Sequence, residues 1–210
     1  MEKMKKQAKI LAFVLTALVL SFVFFAAGKV TAQAGSVKLT GKYYQSDARK
    51  MLSKINKFRT GKNAWYWNES DPAKIKVKGL KKLTYDYKLE KVAMKRAAEI
   101  AISFEHKRPN GTSCFSAYPD GYGWKGENIA MGTSRIMPMS NAFKLWQETN
   151  EPYAFQGHRR NMLHSGFTCV GIACFEYNGN KYWVQEFGSP NNGKKKTKAV
   201  NGKKTVKVAK

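Results

Sequence analysis

The dipeptide Asn178-Gly179 stands between two runs, 167–177 and 181–187, that are rich in aromatic and branched residues. An Asn-Gly pair in that setting closes a β-hairpin, because both residues tolerate the positive φ that a tight hairpin turn demands. Upstream of the hairpin the apolar period changes from two residues to three and four. Leu89, Val92, Ala93, Ala97, Ile100, Ala101 and Phe104 recur at helical spacing behind Asp86, a ready N-cap. Pro109 and Asn110-Gly111 cannot continue that helix, so it ends before His106. A second helix starts from Ser46 as its cap, with Met51, Leu52, Ile55 and Phe58 on one face and a stop near Gly61. Two more are expected over 140–149, through Phe143 and Trp146, and over 158–163, with a short strand at 127–131. Helices interleaved with a terminal antiparallel hairpin predict an α+β fold, a sandwich of helices on a sheet.

Other stretches read as connections. Residues 62–83 lack a period and carry Trp65, Tyr66, Trp67 and Pro72, an aromatic cluster on a long surface connection. Such rings can stack on sugars, but Trp and Tyr more often cover a helix edge. Residues 35–45 read as an N-terminal linker. Residues 189–210, with eight lysines among Asn191 to Lys210, read as a flexible, solvated tail in which 205–208 can form a short edge strand.

The first 34 residues read as a secretory signal peptide: Lys3, Lys5, Lys6 and Lys9 precede an apolar run from Ile10 to Ala27, and Ala32-Gln33-Ala34 has cleavage spacing. That run of 18 residues approaches bilayer-spanning length, so an uncleaved anchor over 10–27 is the competing expectation. Either way the remaining chain is expected to work outside the cytoplasm. The whole sequence carries 38 Lys and Arg against 14 Asp and Glu, a net charge of +24. An exported, strongly basic protein without a recognised nucleic-acid motif points to anionic wall polymers or membrane surfaces, and away from nucleic acid. Charge can also serve solubility alone. Cys114, Cys169 and Cys174 are disulfide candidates in an oxidising compartment, at most one bridge among three. A spacing of five along one strand puts Cys169 and Cys174 on opposite faces, which leaves Cys114 as the shared partner.

Four stretches, His106 to Gly111, Gly126-Glu127-Asn128-Ile129-Ala130, Gly157 to Leu163 and Tyr182 to Phe187, occur in an order that resembles the CAP superfamily of cysteine-rich secretory, antigen 5 and pathogenesis-related proteins. The likeness covers about residues 46–188 and includes bacterial extracellular SCP-like members. It implies an α-β-α sandwich, with helices on both faces of a small antiparallel sheet, and a cleft lined by two histidines and two acidic residues. His106, Glu127 and His158 occupy matching motifs. Many relatives place a glutamate three residues after the helix tryptophan, where this chain has Thr149. Glu148 is therefore the candidate for the fourth position, with Glu151 in reserve.

Two imidazoles and one or two carboxylates from separate elements are a donor set suited to zinc or another divalent cation, with His106 and His158 as ligands. The same groups can instead bond one another and pin helices to the sheet. None of the histidine spacings is a short local metal motif. His164 is expected to be exposed or locally bonded, and Asn128, on the strand face opposite Glu127, to bond backbone. Arg159 and Arg160 are expected on a solvated helix face or at the cleft rim. Two functions follow. One is a non-enzymatic extracellular binding module that engages an anionic wall polymer, a lipid or a protein through its cleft and basic surface. The other is metal-dependent, protease-like hydrolysis, with Glu127 or Glu148 as general base.

Overall fold

The computed structural model describes residues 35–68, 73–149 and 156–210. The expected leader or anchor over 1–34, Pro72 and the reserve carboxylate Glu151 lie outside the described residues. Among the described residues, no helix is long and apolar enough to cross a membrane.

The predicted hairpin is present as β6 (Cys169–Tyr177) and β7 (Asn180–Ser189), with Asn178 and Gly179 both at positive φ, +47° and +74°. β7 pairs on its other side with β5 (Trp124–Thr133), and all ten residues of β5 have a partner. The free edge of β6 is divided. The short strand β4 (Thr84–Tyr85) runs parallel to its beginning, and β1 (Ser36–Tyr44) is antiparallel to its end. β8 (Asn201–Ala209) completes the sheet by pairing with β1 along its full length, giving the order β5-β7-β6-β1-β8.

This last ladder corrects two expectations. Residues 35–45 are not a linker, and 189–210 are not a flexible tail. Val37, Leu39 and Tyr43 alternate with polar residues along β1, and Val206 and Val208 do so along β8, so each strand buries one face. The stretch leading into β8 is fixed as well. Asp86 accepts hydrogen bonds from the amides of Asn192 (3.0 Å) and Gly193 (3.1 Å), and Arg49 donates to the carbonyl of Thr197 (2.8 Å).

Helices cover both faces. Along β6, Val170, Ile172 and Cys174 point to one side, against α1 (Gln45–Thr60), α3 (Met139–Trp146) and α4 (Gly157–Leu163). Ala173 and Phe175 point to the other side, against α2 (Tyr87–Glu99). Gly171 permits the close approach of α2: a Cβ there would lie 2.1 Å from the carbonyl carbon of Leu89. As expected, Asp86 caps α2 by accepting from the amides of Lys88 and Leu89. Ser46, by contrast, is not a cap. It lies within α1, which begins directly at the end of β1; the residue at the cap position, Tyr44, makes no side-chain capping bond, and Asn201 Oδ1 accepts from the Ser46 amide at 3.0 Å instead. The connection after α1 is less irregular than its sequence suggests, because β2 (Trp65–Trp67) and β3 (Lys74–Lys76) pair antiparallel, with Lys74 over the rings of Trp65 (4.3 Å) and Trp67 (4.9 Å).

Candidate functional site

Four elements bring the sequence-selected residues together in two pairs. His106 follows the turn beyond α2, and Glu127 lies on β5. Their side chains meet at 2.8 Å, Nδ1 to Oε1. His158 is in the first turn of α4 and Glu148 follows α3, with His158 Nδ1 in a short hydrogen bond to Glu148 Oε1. Glu148 also accepts from the amide of Arg159 at 3.0 Å. Its backbone takes φ +44°, a left-handed conformation in which a non-glycine residue is strained by about 1–2 kcal/mol. The strained turn aims the carboxylate at α4. The imidazoles remain accessible, with the His106 side chain 57% exposed and that of His158 34%, whereas Glu127 is 1% exposed and Glu148 9%.

Beneath His106 is a network in which Arg108 and Glu186 lie within the motif stretches but are not among the sequence-selected residues, and Arg96 and Glu99 lie outside them. Arg96, on the inner face of α2 and fully buried, donates to both oxygens of Glu127 (2.7 and 3.3 Å), to Glu99 (2.8 Å) and to the carbonyl of Glu105 (2.7 Å). Arg108 reaches back to Glu99 at 2.8 Å, which ties the His106 loop to α2. Glu186 is directly opposite Glu127 on the β5–β7 ladder and is completely buried. Tyr118 donates to its Oε2 at 2.8 Å, while Oε1 lacks a partner among the described residues if the group is a bare carboxylate. Burial first, and then the charge of Glu127, drive the Glu186 pKa well above the usual carboxylate range. Glu186 is therefore the protonated acid of the pair. Burial also pushes Glu127 upward, but hydrogen bonds from His106 and Arg96 and the Arg96 charge prevail and hold its pKa below the ordinary value. The signal for this arrangement lay in Arg96, a charged residue interrupting the apolar face of a helix.

The supporting residues depart from expectation in one respect and agree in two. Arg159 is neither solvated nor at a rim. It is 1% exposed, donates to the carbonyls of Asn63 (2.7 Å), Trp65 and Gln147 (2.6 Å), and stacks on Trp65 at 4.0 Å. Burial lowers its pKa to about 10. It gathers carbonyl groups from loops that would otherwise be unsatisfied. Arg160 likewise donates to the carbonyl of Trp67 and packs on Tyr66 (4.5 Å). As expected, Asn128 bonds backbone, donating to the carbonyl of His158 at 3.1 Å, and Asn161 in turn donates to Asn128 at 2.8 Å. His164 is locally bonded, its Nδ1 accepting from the amide of Gly166.

The three cysteines, candidates for at most one disulfide by sequence, are free, buried thiols in the structure. Cys169 and Cys174 face opposite sides of β6, as their spacing predicts. Cys169 donates to the carbonyl of Gly188 (3.2 Å), and burial raises its pKa to about 12. Cys114 lies beside the cleft. With His106 and Glu127 it forms the one group of three possible metal donors within 4.8 Å among the described residues. That trio suits a cation poorly, because both Glu127 oxygens already accept from Arg96 or His106 and the Arg96 charge lies beside them. Burial, followed by the Glu127 charge, also raises the Cys114 pKa to about 12, so the thiol keeps its proton. Each of the two imidazoles is oriented through Nδ1 by a carboxylate, which leaves Nε2 as the ring nitrogen turned away from that bond.

A model of the cysteine-rich secretory protein, or CAP, family matches residues 52–187, well over half of the sequence. The chain belongs to the CAP family. Among curated proteins it is similar to the uncharacterized protein YkwD of Bacillus subtilis, at 29% identity over 120 residues. That alignment takes in 55% of this chain and 42% of YkwD, so the chain spans about two fifths of that relative's length. Solved structures share the fold. An outer surface protein of Borrelia burgdorferi superposes with a TM-score of 0.52 at 19% identity, covering 70% of this chain and 97% of that one. The structure of NaASP2 with Zn2+ gives a TM-score of 0.52 at 21% identity, covering 76% and 88%. The CAP fold of this chain is thus the α-β-α sandwich that the four motifs imply.

Proposed function

We propose that this CAP protein is exported and acts outside the cell as a binding module for an anionic partner, not as a hydrolase. The observation that carries this reading is that both cleft carboxylates are largely buried and already accept from fixed donors. A general base must be free to take a proton from water, yet Glu127 accepts from Arg96 and His106 while almost fully buried. Glu148 accepts from His158 and the Arg159 amide in the same manner. What the cleft offers outward is two exposed imidazole edges held rigidly in place. A pocket of roughly 460 Å³, lined in part by Glu148, Lys144, Asn141 and Leu145, adds room of the size that small ligands occupy. The net charge of +24 supplies long-range attraction for a polyanion. The test is retention of the full chain on isolated anionic wall material over a salt series. Retention should fall steeply with added salt, and retention that is absent or indifferent to salt would refute the reading.

A second reading is favoured by one feature, the orientation of both imidazoles by carboxylates. It is that His106 and His158 hold a divalent cation such as zinc through Nε2, with Glu127 and Glu148 as their outer partners. The similarity to a structure solved with Zn2+ supports it. Such an ion would supply Lewis-acid character to a ligand at the cleft mouth. Elemental analysis with zinc titration calorimetry tests this. One-to-one binding in the wild type that is lost in a His106→Ala, His158→Ala double variant is the expected result, and equal binding in both would remove it.

A further inference from the structure

We propose that the paired strands β1 and β8 are a docking surface for a linear phosphodiester wall polymer, a flexible polyanion without bases. The proposal rests on the reading of an anionic extracellular partner and assigns that partner a place remote from the histidines in sequence and on a different part of the sheet.

The register of the ladder is the key. Lys38 is directly opposite Lys207, and Lys42 is directly opposite Lys203. Residues opposed in an antiparallel ladder project from the same face, and like charges so placed repel. All four lysines are exposed, on the strand positions that alternate with buried Leu39 and Tyr43 and with Val208. Between the two lysine pairs, Thr40 and Thr205 are also opposed, and their hydroxyls bond each other at 2.8 Å. The result is a polar track with two pairs of ammonium groups roughly 13 Å apart, from four residues at about 3.3 Å each. One carboxylate enters the row: Glu176 is opposite both Lys42 on β1 and Lys181 on β7, so the row across the sheet reads Lys203, Lys42, Glu176, Lys181. Glu176 accepts from the Tyr44 hydroxyl at 2.6 Å. Five ammonium groups and one carboxylate leave a clear excess of positive charge, and a solubilising surface has no need to set lysines in opposed pairs.

The shape selects among polyanions. Of the exposed large apolar residues Ile75, Phe104, Phe115, Trp124, Met131, Ile136 and Leu145, none belongs to β1 or β8. A membrane-binding face would present such groups for insertion, and a single-stranded nucleic-acid site would present rings for base stacking. The aromatic group beside the track, Tyr44, is covered by Lys42 (4.6 Å) and Lys181 (4.7 Å). What remains is an array of charges and hydroxyls along the ladder, matched to phosphates on a featureless backbone.

The experiment measures binding of the full chain to poly(glycerol phosphate), to phosphatidylglycerol vesicles and to oligo(dT), each over a range of salt concentration. Two variants with equal charge loss are compared: Lys38→Gln, Lys42→Gln, Lys203→Gln, Lys207→Gln on the ladder, and Lys62→Gln, Lys78→Gln, Lys91→Gln, Lys95→Gln elsewhere on the surface. The ladder variant should lose poly(glycerol phosphate) affinity by about tenfold or more. Its log–log salt slope should fall by about 3, from four contacts at about 0.7 each. The other variant should bind nearly as the wild type does. Removal of opposed like charges should leave the ladder variant with a melting temperature at or above that of the wild type. Equal weakening of both variants, or tighter wild-type binding to vesicles or oligo(dT), would overturn the assignment of this surface and this polymer. Wild-type protein that binds none of the three probes would overturn the anionic-partner reading itself.

Discussion

Replacing Arg96 with methionine removes the hub of the buried network while keeping much of the side-chain volume. Four hydrogen bonds disappear, two to Glu127 and one each to Glu99 and the Glu105 carbonyl. The damage is unequal. Glu99 keeps its contacts with Arg108, at 2.8 to 3.1 Å, so its charge stays paired. Glu127 keeps His106 and the hydrogen bond of the protonated Glu186 opposite it, but loses the fixed cation beside it. Breaking a buried ion pair by removing one partner costs about 3–5 kcal/mol, and the surviving contacts place Arg96→Met near the lower end, at about 3 kcal/mol. For a domain of this size that is a fall in Tm of roughly 6–12 °C. Urea denaturation and calorimetry at pH 7 read both quantities. Adding Glu127→Gln to Arg96→Met removes the stranded charge and should restore more than half of the loss, a coupling that a double-mutant cycle isolates. The pH dependence has a definite sign. Glu127 has a lowered pKa in the folded state, so its contribution is present above the unfolded value of about 4.3 and is lost as pH falls below it. The gap between wild type and Arg96→Met should therefore narrow in acid. A loss under about 1 kcal/mol, or no recovery with Glu127→Gln, would refute the view that Arg96 compensates a buried charge.

Glu186→Gln fixes the neutral form that the fold already selects. Because the folded pKa of Glu186 is raised, its stabilising contribution is complete below about pH 4 and is lost as pH rises toward the folded value. The variant should match the wild type in acid and exceed it increasingly toward neutral and basic pH in urea titrations, and the reverse trend would sink the assignment. At Glu148, whose φ is +44°, glycine should be more stable than alanine by about 1 kcal/mol, since both lose the His158 contact but only glycine relieves the backbone. Equal stability of the two would contradict the left-handed turn. Gly171→Ala would place a methyl group 2.1 Å from the backbone of α2 and should cost about 3 kcal/mol in thermal denaturation. A neutral outcome there would mean that α2 can move off the sheet.

Local signals carried much of the fold. The Asn178-Gly179 turn, the Asp86 cap and the alternation along 169–175 specify backbone and periodicity within a few residues, and the structure reproduces each. Glu148 was accessible from sequence only because it neighbours the position a family pattern would fill. Its contact with His158 depends on a turn that sequence does not announce. Arg159 misled because an arginine in a short polar helix normally faces water, and here loops from distant parts of the chain bring carbonyl groups to it.

The division between sequence and tertiary structure follows the range of the interactions. By itself the sequence determined the helices and strands whose caps, turns and apolar periods are local, the excess of positive charge, and the four motifs that identify the CAP family. Only the tertiary structure decided which strands become neighbours. Residues 36–44 and 201–209 are short, lysine-diluted alternations that mean little separately, and they become a ladder when α2 provides an apolar surface for both. The same long-range register sets Glu127 against Glu186, Lys38 against Lys207 and Lys42 against Lys203. Whether two like groups meet depends on how strands far apart in sequence align, and no local propensity encodes that alignment.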